Sequence, residues 1–314
     1  MILITAVNSI KAGLSFRELR WDDQAVFGEI LRKLQPETSD QTFTSLFIWQ
    51  YSYGLRIAQD LDLQAVVPLA RPQTWTPFYL PPLFQWSARE KFAELLQKML
   101  FYAEKNGFPF QIRRAPEMLA REVELTFPGV FEIVRDRKAD DYVYRTEDLI
   151  KLAGRKYHAK RNFLNRFKKN YRWAFRDLTP DLVPGCIAVF KKWCEQKDCE
   201  KITSLFQEHK AILTLLENFS SFPVSGGVIQ VDGNIEAFTI GEELNRETAV
   251  IHAEKANTEI DGIYAAINQM YAESRLNSYK YINREEDLGL ENLRKAKQSY
   301  FPCRMVEKYI IKKR

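Results

Sequence analysis

Two stretches of this chain follow one pattern. "FPFQIRRAPEMLAREVELTFPGVFEIVRDR" covers residues 108–137, and "YKYINREEDLGLENLRKAKQSYFPCRMVEKYIIKK" covers 279–313. Each opens with a short apolar strand that ends in polar residues. A helix-patterned segment follows, then Phe-Pro, then an alternating strand. The copies lie much too far apart for a solenoid, so they read as two copies of one fold unit. A chain of 314 residues has room for two domains of about 150 residues each.

The segments before each copy agree. Residues 61–70, "LDLQAVVPLA", read as a strand, and 88–106 read as a helix stopped by Gly107. In the second half, "GGVIQVDGNIEAFTIGEEL" reads as a hairpin turning at Asp232-Gly233. "TAVIHAEKA" is then a strand, residues 261–275 an amphipathic helix, and 279–283 the next strand. The step from 248 to 283 is a right-handed crossover between parallel strands. Ligands in such sheets sit beyond the carboxyl ends, where neighbouring strands diverge. That puts Glu254, Lys255 and Asn257 at one strand end and Asn283, Arg284 and Glu285 at the next. The fold class is α/β (α+β), with one domain over 1–146 and a second over 147–314.

The second domain opens on a basic segment. "RKYHAKRNFLNRFKKNY", residues 155–171, carries seven Lys or Arg. Residues 147–172 fit one helix. At about 100° per residue, Ala153, Tyr157, Leu164, Phe167 and Tyr171 share an apolar stripe. Arg155, His158, Asn162, Arg166 and Lys169 face solvent. Lys156 and Lys160 fall inside the stripe, Lys160 nearer its centre. A buried ammonium needs a partner. Each lysine therefore either snorkels to the edge or faces a cleft that holds an anion.

Composition excludes several classes. With Cys186, Cys194, Cys199 and Cys303 in no Cys-x-x-Cys pair, and only His158, His209 and His252, no zinc set forms. The thiols read as reduced. Met1–Ala6 is too short for a signal peptide, and no apolar run approaches the roughly 20 residues that span a bilayer. These features fit a cytoplasmic protein. The net charge of +5 permits an anionic partner without requiring one. No Gly-x-Ser-x-Gly elbow or Cys–His set points to a covalent intermediate.

"YRTEDLIKLAGRKYHAKRNFLNRF", followed far downstream by "INREEDLGLENLRKAKQSYFP", resembles the DUF2156 group. That group is similar to the soluble C-terminal domain of bacterial phosphatidylglycerol lysyltransferases. The resemblance runs from about Phe16 to the end. It implies two tandem GNAT-like (acyl-CoA N-acyltransferase) domains, as in the Fem-type aminoacyltransferases, each a mixed twisted sheet flanked by helices. It implies transfer of an acyl or aminoacyl group to an amine or hydroxyl, with aminoacyl-tRNA as donor in the lysyltransferases. Leu293, Arg294, Lys297 and Pro302 occupy matching places in the "LRxFKxKFxP" type of block, with Tyr300-Phe301 where that block has aromatics.

The chain departs from this group in having no membrane domain to present lipid, so the acceptor stays open among a small molecule, a peptide and a lipid headgroup. It departs from acyl-CoA users in the loop "KANTEIDGIY". Glu259 and Asp261 stand there in place of a glycine-rich phosphate cradle. Thr258 or Asp261 suits an N-cap for the helix after Gly262.

Aminoacyl transfer needs a base, oxyanion stabilisation and cations for the donor phosphates. The candidate bases are Glu254, Glu285 and Asp287, with Glu259 and Glu286 in the same loops. The candidate binding residues are Lys156, Lys160, Lys255, Asn283, Arg284, Arg294, Lys297 and Tyr300, with Lys295 on the same short helix. His252, mid-strand, reads first as a satisfied sheet histidine. No metal and no bound cofactor is required; aminoacyl-tRNA or acyl-CoA would be a co-substrate. Two other readings stay open: a non-catalytic module that binds tRNA or another anion through the outer basic face, and an acyl-CoA-dependent N-acyltransferase. The cleft would lie between or beside the two halves.

Overall fold

The computed structural model describes residues 13–85, 88–197, 199 and 203–314. The reading of Met1–Ala6 lies outside them. In chain order the strands are β1 (Arg17–Glu18), β2 (Arg56–Asp60), β3 (Ala65–Ala70), β4 (Phe78–Tyr79), β5 (Gln111–Pro116), β6 (Phe131–Arg135), β7 (Asp141–Arg145), β8 (Trp173–Asp177), β9 (Val224–Val231), β10 (Asn234–Asn245), β11 (Thr248–Ala256), β12 (Tyr281–Asn283), β13 (Arg304–Val306) and β14 (Lys308–Lys313). The helices are α1 (Asp23–Leu34), α2 (Phe43–Tyr53), α3 (Arg89–Lys105), α4 (Glu117–Thr126), α5 (Thr146–Lys151), α6 (His158–Asn170), α7 (Val183–Lys197), α8 (Thr203–Glu217), α9 (Ile263–Arg275) and α10 (Glu291–Gln298).

The strands form two mixed sheets, ordered β1-β2-β3-β4-β5-β14-β6 and β13-β7-β12-β11-β10-β9-β8. Two compact units carry them: one of 1–34, 50–137 and 307–314, the other of 35–49 and 138–306. Each has its own core. In the first, Tyr79, Phe92, Leu95, Met99, Ile112 and Phe131 pack beneath the sheet. In the second, Tyr157, Phe167, Ile229, Ala266, Ile267 and Tyr271 do so.

The repeat is present, with one exchange. Strand, helix, strand recurs as β5-α4-β6 and β12-α10-β13. The strand that completes each copy comes from the other half of the sequence. β7 lies between β12 and β13, and β14 lies between β5 and β6. The alternating stretch at the chain's end is therefore two strands in two sheets. The expected boundary was 146/147; the compact units divide at 34/35, 49/50, 137/138 and 306/307. A strand's own pattern records that one face is buried, not which sheet receives it.

The hairpin turns at Asp232-Gly233, both with positive φ (49° and 87°). The crossover runs β11-α9-β12, with parallel pairing from Thr248↔Tyr281 to Val250↔Asn283 only. β11 then continues to Ala256 without β12 beside it. This divergence is where the sequence puts its candidate residues.

The 147–172 helix is broken, a correction to the expected single helix. α5 ends at Leu152 in the left-handed region (φ 47°), and Gly154 follows at φ 82°. A 3-10 turn over Arg155–Tyr157 leads into α6. Arg161 on α6 reaches back to the Leu152 and Gly154 carbonyls, which supplies partners for the orphaned end of α5. With the register reset, Ala153 and Lys156 are exposed, while Tyr157, Leu164 and Phe167 stay buried.

The loop before α9 is also built differently from the capped start expected. Gly262 is its N-cap residue, with φ 81° and no side-chain cap. Asp261 instead pairs with Arg166 (3.2 Å) and Glu259 with Lys192 (3.0 Å). Thr258 donates to Gln196. A Cβ on Gly262 would meet the Phe163 carbonyl oxygen at 2.2 Å. Gly262→Ala should therefore cost about 3 kcal/mol or more, strain plus clash. Gly233→Ala, with φ 87° and nothing within 4 Å, should cost about 1 kcal/mol. Urea unfolding of the two variants measures the difference; equal costs would contradict the close packing of α6 on this loop.

Candidate functional site

Glu254 and Arg284 face each other where β11 and β12 part. Arg284 Nη2 donates to Glu254 Oε1 at 2.9 Å, and their side chains are only 14% and 11% exposed. Asn268 on α9 donates from Nδ2 to Glu254 Oε2 at 3.3 Å. The Arg284 guanidinium lies over the Tyr300 ring (5.0 Å to the centroid) and near the Tyr144 ring (5.7 Å). From α6, Lys160 Nζ sits over the same Tyr300 ring, 4.0 Å from its centroid. A cation on an aromatic face is favourable, more so when desolvated.

The electrostatics are uneven. Burial, with repulsion from Arg284, lowers the Lys160 pKa to about 8 against the pull of Glu254. Lys160 is thus a partly neutral amine near pH 8. Burial would lower Arg284 too, but the field of Glu254 more than offsets it and its pKa is raised. Burial raises the Tyr300 hydroxyl to about 12, so it stays protonated.

Three buried polar atoms in this cluster have no hydrogen-bond partner among the described residues: Arg284 Nη1, Asn268 Oδ1 and Thr239 Oγ1. Thr239 is the cross-strand partner of Glu254 on β10. Such groups cost free energy when left unsatisfied. A donor and acceptors thus lie unsatisfied beside one carboxylate.

Next to this cluster lies a charged clamp. His252 is the extra residue of a β-bulge, since Ile240 pairs with Ala253 and Gly241 with Ile251. Its side chain is 1% exposed. The ring donates from Nε2 to Glu242 at 2.8 Å and from Nδ1 to Glu285 at 3.0 Å. Burial alone would lower its pKa, yet bonds from both acids hold it at about 10. His252 is satisfied, as its sequence position suggested, and as an imidazolium. Glu285 has φ 57°, a conformation costly for a residue with a Cβ. The clamp thus fixes the backbone directly after Arg284.

The remaining candidates occupy other positions. Asp287 is fully buried and accepts from Tyr142 Oη (2.7 Å), Arg294 Nε (2.8 Å) and Gly289 N (2.8 Å). Burial opposes ionisation there, but these donors hold its pKa at about 2. It anchors a loop, and with it Arg294, rather than serving as a base. Asn283 donates to Asp141 and accepts from the Glu285 amide. Lys297, lowered to about 8 by burial, donates to the carbonyls of Arg284 (2.6 Å) and Glu286, pinning the same strand end.

Lys255 alternates to the other face of β11, where it pairs with Glu208 (2.8 Å) over the Trp193 ring (3.7 Å). Lys156 is exposed and pairs loosely with Asp148 at 3.8 Å. Lys295 pairs with Glu291 on the surface of α10. Of the residues the sequence proposes, the structure brings together Glu254, Arg284, Lys160 and Tyr300. It adds Asn268, Thr239 and Tyr144, with Glu242 in the neighbouring clamp. Asn268 and Gln269, polar in the middle of an otherwise apolar helix, were the legible signal for one of these.

The four cysteines are free. Among the described residues no metal-ligating cluster occurs, and no helix is long and apolar enough to cross a membrane.

The profile of the family described as "Phosphatidylglycerol lysyltransferase, C-terminal" matches residues 31–312. Among curated proteins none matches the chain. A conserved protein of unknown function from Bacteroides thetaiotaomicron is 32% identical over 96% of this chain and 100% of its own, with a TM-score of 0.88. The C-terminal domain (DUF2156) of a putative lysylphosphatidylglycerol synthetase from Agrobacterium fabrum is 12% identical, covering 93% of this chain and 92% of its own, TM-score 0.65. L-PGS from Bacillus licheniformis is 13% identical with the same coverage, 93% and 92%, TM-score 0.64. The two sheets with their helices are two tandem GNAT-like domains.

Proposed function

The chain belongs to the phosphatidylglycerol lysyltransferase C-terminal family, and from that premise we propose that it transfers an aminoacyl group from aminoacyl-tRNA to an amine or hydroxyl acceptor at the Glu254–Arg284 cluster. The carrying observation is the set of buried, unpartnered polar atoms beside Glu254. In this reading Arg284 Nη1 and Lys160 donate to the oxyanion that forms as the ester carbonyl is attacked. Asn268 Oδ1 and Thr239 Oγ1 accept from the attacking amine or hydroxyl, and Glu254 takes its proton. The bond from the carbonyl carbon to the ribose oxygen then breaks, and that oxygen leaves with the proton. Asp287, Arg294, Lys297 and the His252 clamp hold the strand end in place. The setting is a reducing, cytoplasmic one, in keeping with four free thiols.

An acyl-CoA donor is less well supported. The start of α9, where a pyrophosphate would be cradled, is packed against the Phe163 carbonyl and flanked by Glu259 and Asp261.

Equilibrium binding to a labelled aminoacyl-tRNA pool, at low and physiological salt, tests the proposal. Deacylated tRNA and acyl-CoA are the competitors. The charged form should bind better, and acyl-CoA should not displace it. Lys160→Ala should weaken this binding about tenfold or more, a desolvated charged contact. Lys169→Ala, on the exposed face, should change it about twofold. Identical binding of charged and uncharged tRNA, collapsing with salt, would reduce the protein to an electrostatic binder.

A further inference from the structure

The exchange of strands gives both units one local device. In the second unit, Arg284 and Glu285 together oppose Tyr142 of β7: the Arg284 amide donates to the Tyr142 carbonyl (2.9 Å), and the Tyr142 amide donates to the Glu285 carbonyl (3.1 Å). In the first unit, Arg113 and Arg114 together oppose Ile310 of β14, between the pairs Tyr309↔Ala115 and Ile311↔Ile112. The second residue of each bulge has positive φ, 57° at Glu285 and 60° at Arg114. The parallel pair immediately before each is Val250↔Asn283 in one unit and Tyr79↔Ile112 in the other. Arg113 is thus the counterpart of Arg284. Bulges that re-aim a side chain beside diverging strands are a hallmark of sites.

The counterparts differ in charge. Four residues beyond Val250 stands Glu254; four beyond Tyr79 stands Leu83, in "LPPLF". Arg284 is neutralised by Glu254, whereas Arg113 forms no ion pair among the described residues. Its Nε donates to Gln111 Oε1 at 3.2 Å, and Gln111 in turn donates to the Pro77 carbonyl at 3.3 Å. The guanidinium rests over the Phe78 ring at 4.6 Å, with the Trp75 ring at 5.8 Å. Trp75 is 55% exposed. Burial pushes Arg113 below the ordinary arginine range, against the opposing pull of Asp136 and Tyr53. A held, half-buried guanidinium that pairs with no carboxylate suits an anion. A large exposed aromatic beside it suits a flat ring.

We propose that the first unit holds a second ligand site, in which Arg113 binds the phosphate of a nucleotide and Trp75 stacks on its base. The nucleotide is either free or the end of a single strand; the phosphate and the ring are common to both. This site is independent of the transferase reading, because every residue it uses belongs to the first unit.

Calorimetric titration of the full chain tests it. The probes are adenosine monophosphate, adenosine, inorganic phosphate and a short single-stranded oligoadenylate. The monophosphate should bind about tenfold more tightly than adenosine or phosphate. Arg113→Gln should weaken the monophosphate about tenfold and leave adenosine unchanged. Trp75→Ala changes an exposed residue, so the fold is kept even if Arg113→Gln is unstable. It should weaken the monophosphate about tenfold and leave phosphate unchanged. Oligoadenylate binding well above the monophosphate assigns the site to a strand end; equal binding assigns it to a free nucleotide. A monophosphate that binds no better than phosphate, or that ignores both substitutions, overturns the proposal. Lys160→Ala should leave these affinities unchanged while it weakens charged tRNA, so the two readings can fail separately.

Discussion

Glu254→Ala will cost the fold about 3–5 kcal/mol and abolish transfer. The stability loss follows from burial. Arg284 would keep its charge in a place where its side chain is 14% exposed, with its carboxylate partner removed. Breaking a buried pair on one side is more damaging than removing it whole. The double variant Glu254→Leu with Arg284→Met should therefore recover most of the stability. It should not recover transfer, since both the base and an oxyanion donor are gone, each worth about a hundredfold or more. Urea unfolding of the two variants separates the effects. A double variant as unstable as the single one would show that the pair contributes packing rather than charge.

Raising the pH from 6.5 to 7.5 will destabilise the second unit, and the clamp is the cause. The folded pKa of His252 is raised to about 10 by Glu242 and Glu285 against its burial. The folded state therefore holds a proton that the unfolded chain releases near pH 6.5. The clamp's contribution is fully present below that value and is lost as pH rises toward 10. Glu285, pushed up by burial, acts in the same sense. Lys160 and Lys297, both lowered to about 8, act in the opposite sense from about pH 8 upward. The clean window thus lies below them. Across this window the unfolded histidine is on average about three-quarters deprotonated, which corresponds to about 1 kcal/mol. Glu242→Gln with Glu285→Gln keeps a hydrogen-bond acceptor on each ring nitrogen but removes the charge, and should flatten the slope. With only three histidines in the chain, NMR can check the assignment: one imidazole keeps both ring protons at pH 8. A slope unchanged in the double variant would contradict the clamp.

The hairpin at Asp232-Gly233, the crossover and the repeat were legible because each has a local signal: a turn dipeptide, a change of hydrophobic period, a Phe-Pro stop. Glu254 and Arg284 were legible by topology, as residues at the carboxyl ends of parallel strands. The inward position of Lys160 survived although the helix containing it was misread, because Leu164 and Phe167 share its true helix. What was not legible came from backbone states without a sequence mark. Leu152 and Glu285 adopt positive φ without being glycine. The first reset the helix and turned Lys156 outward. The second turned Glu285 from the open strand end toward His252. The exchange of β7 and β14 was hidden for another reason: alternation shows a strand, while the choice of sheet is settled by tertiary packing.

The most direct measurement is a footprint of Lys160. Its amine, lowered to about 8, should be acylated by an amine-selective reagent at pH 8 well before exposed Lys169, as followed by mass spectrometry. Charged tRNA should protect Lys160 and leave Lys156 and Lys169 reactive, while deacylated tRNA should protect it much less. Protection of Lys156 and Lys169 with Lys160 left reactive would place the ligand on the outer basic face and contradict a donor site at Glu254 and Arg284.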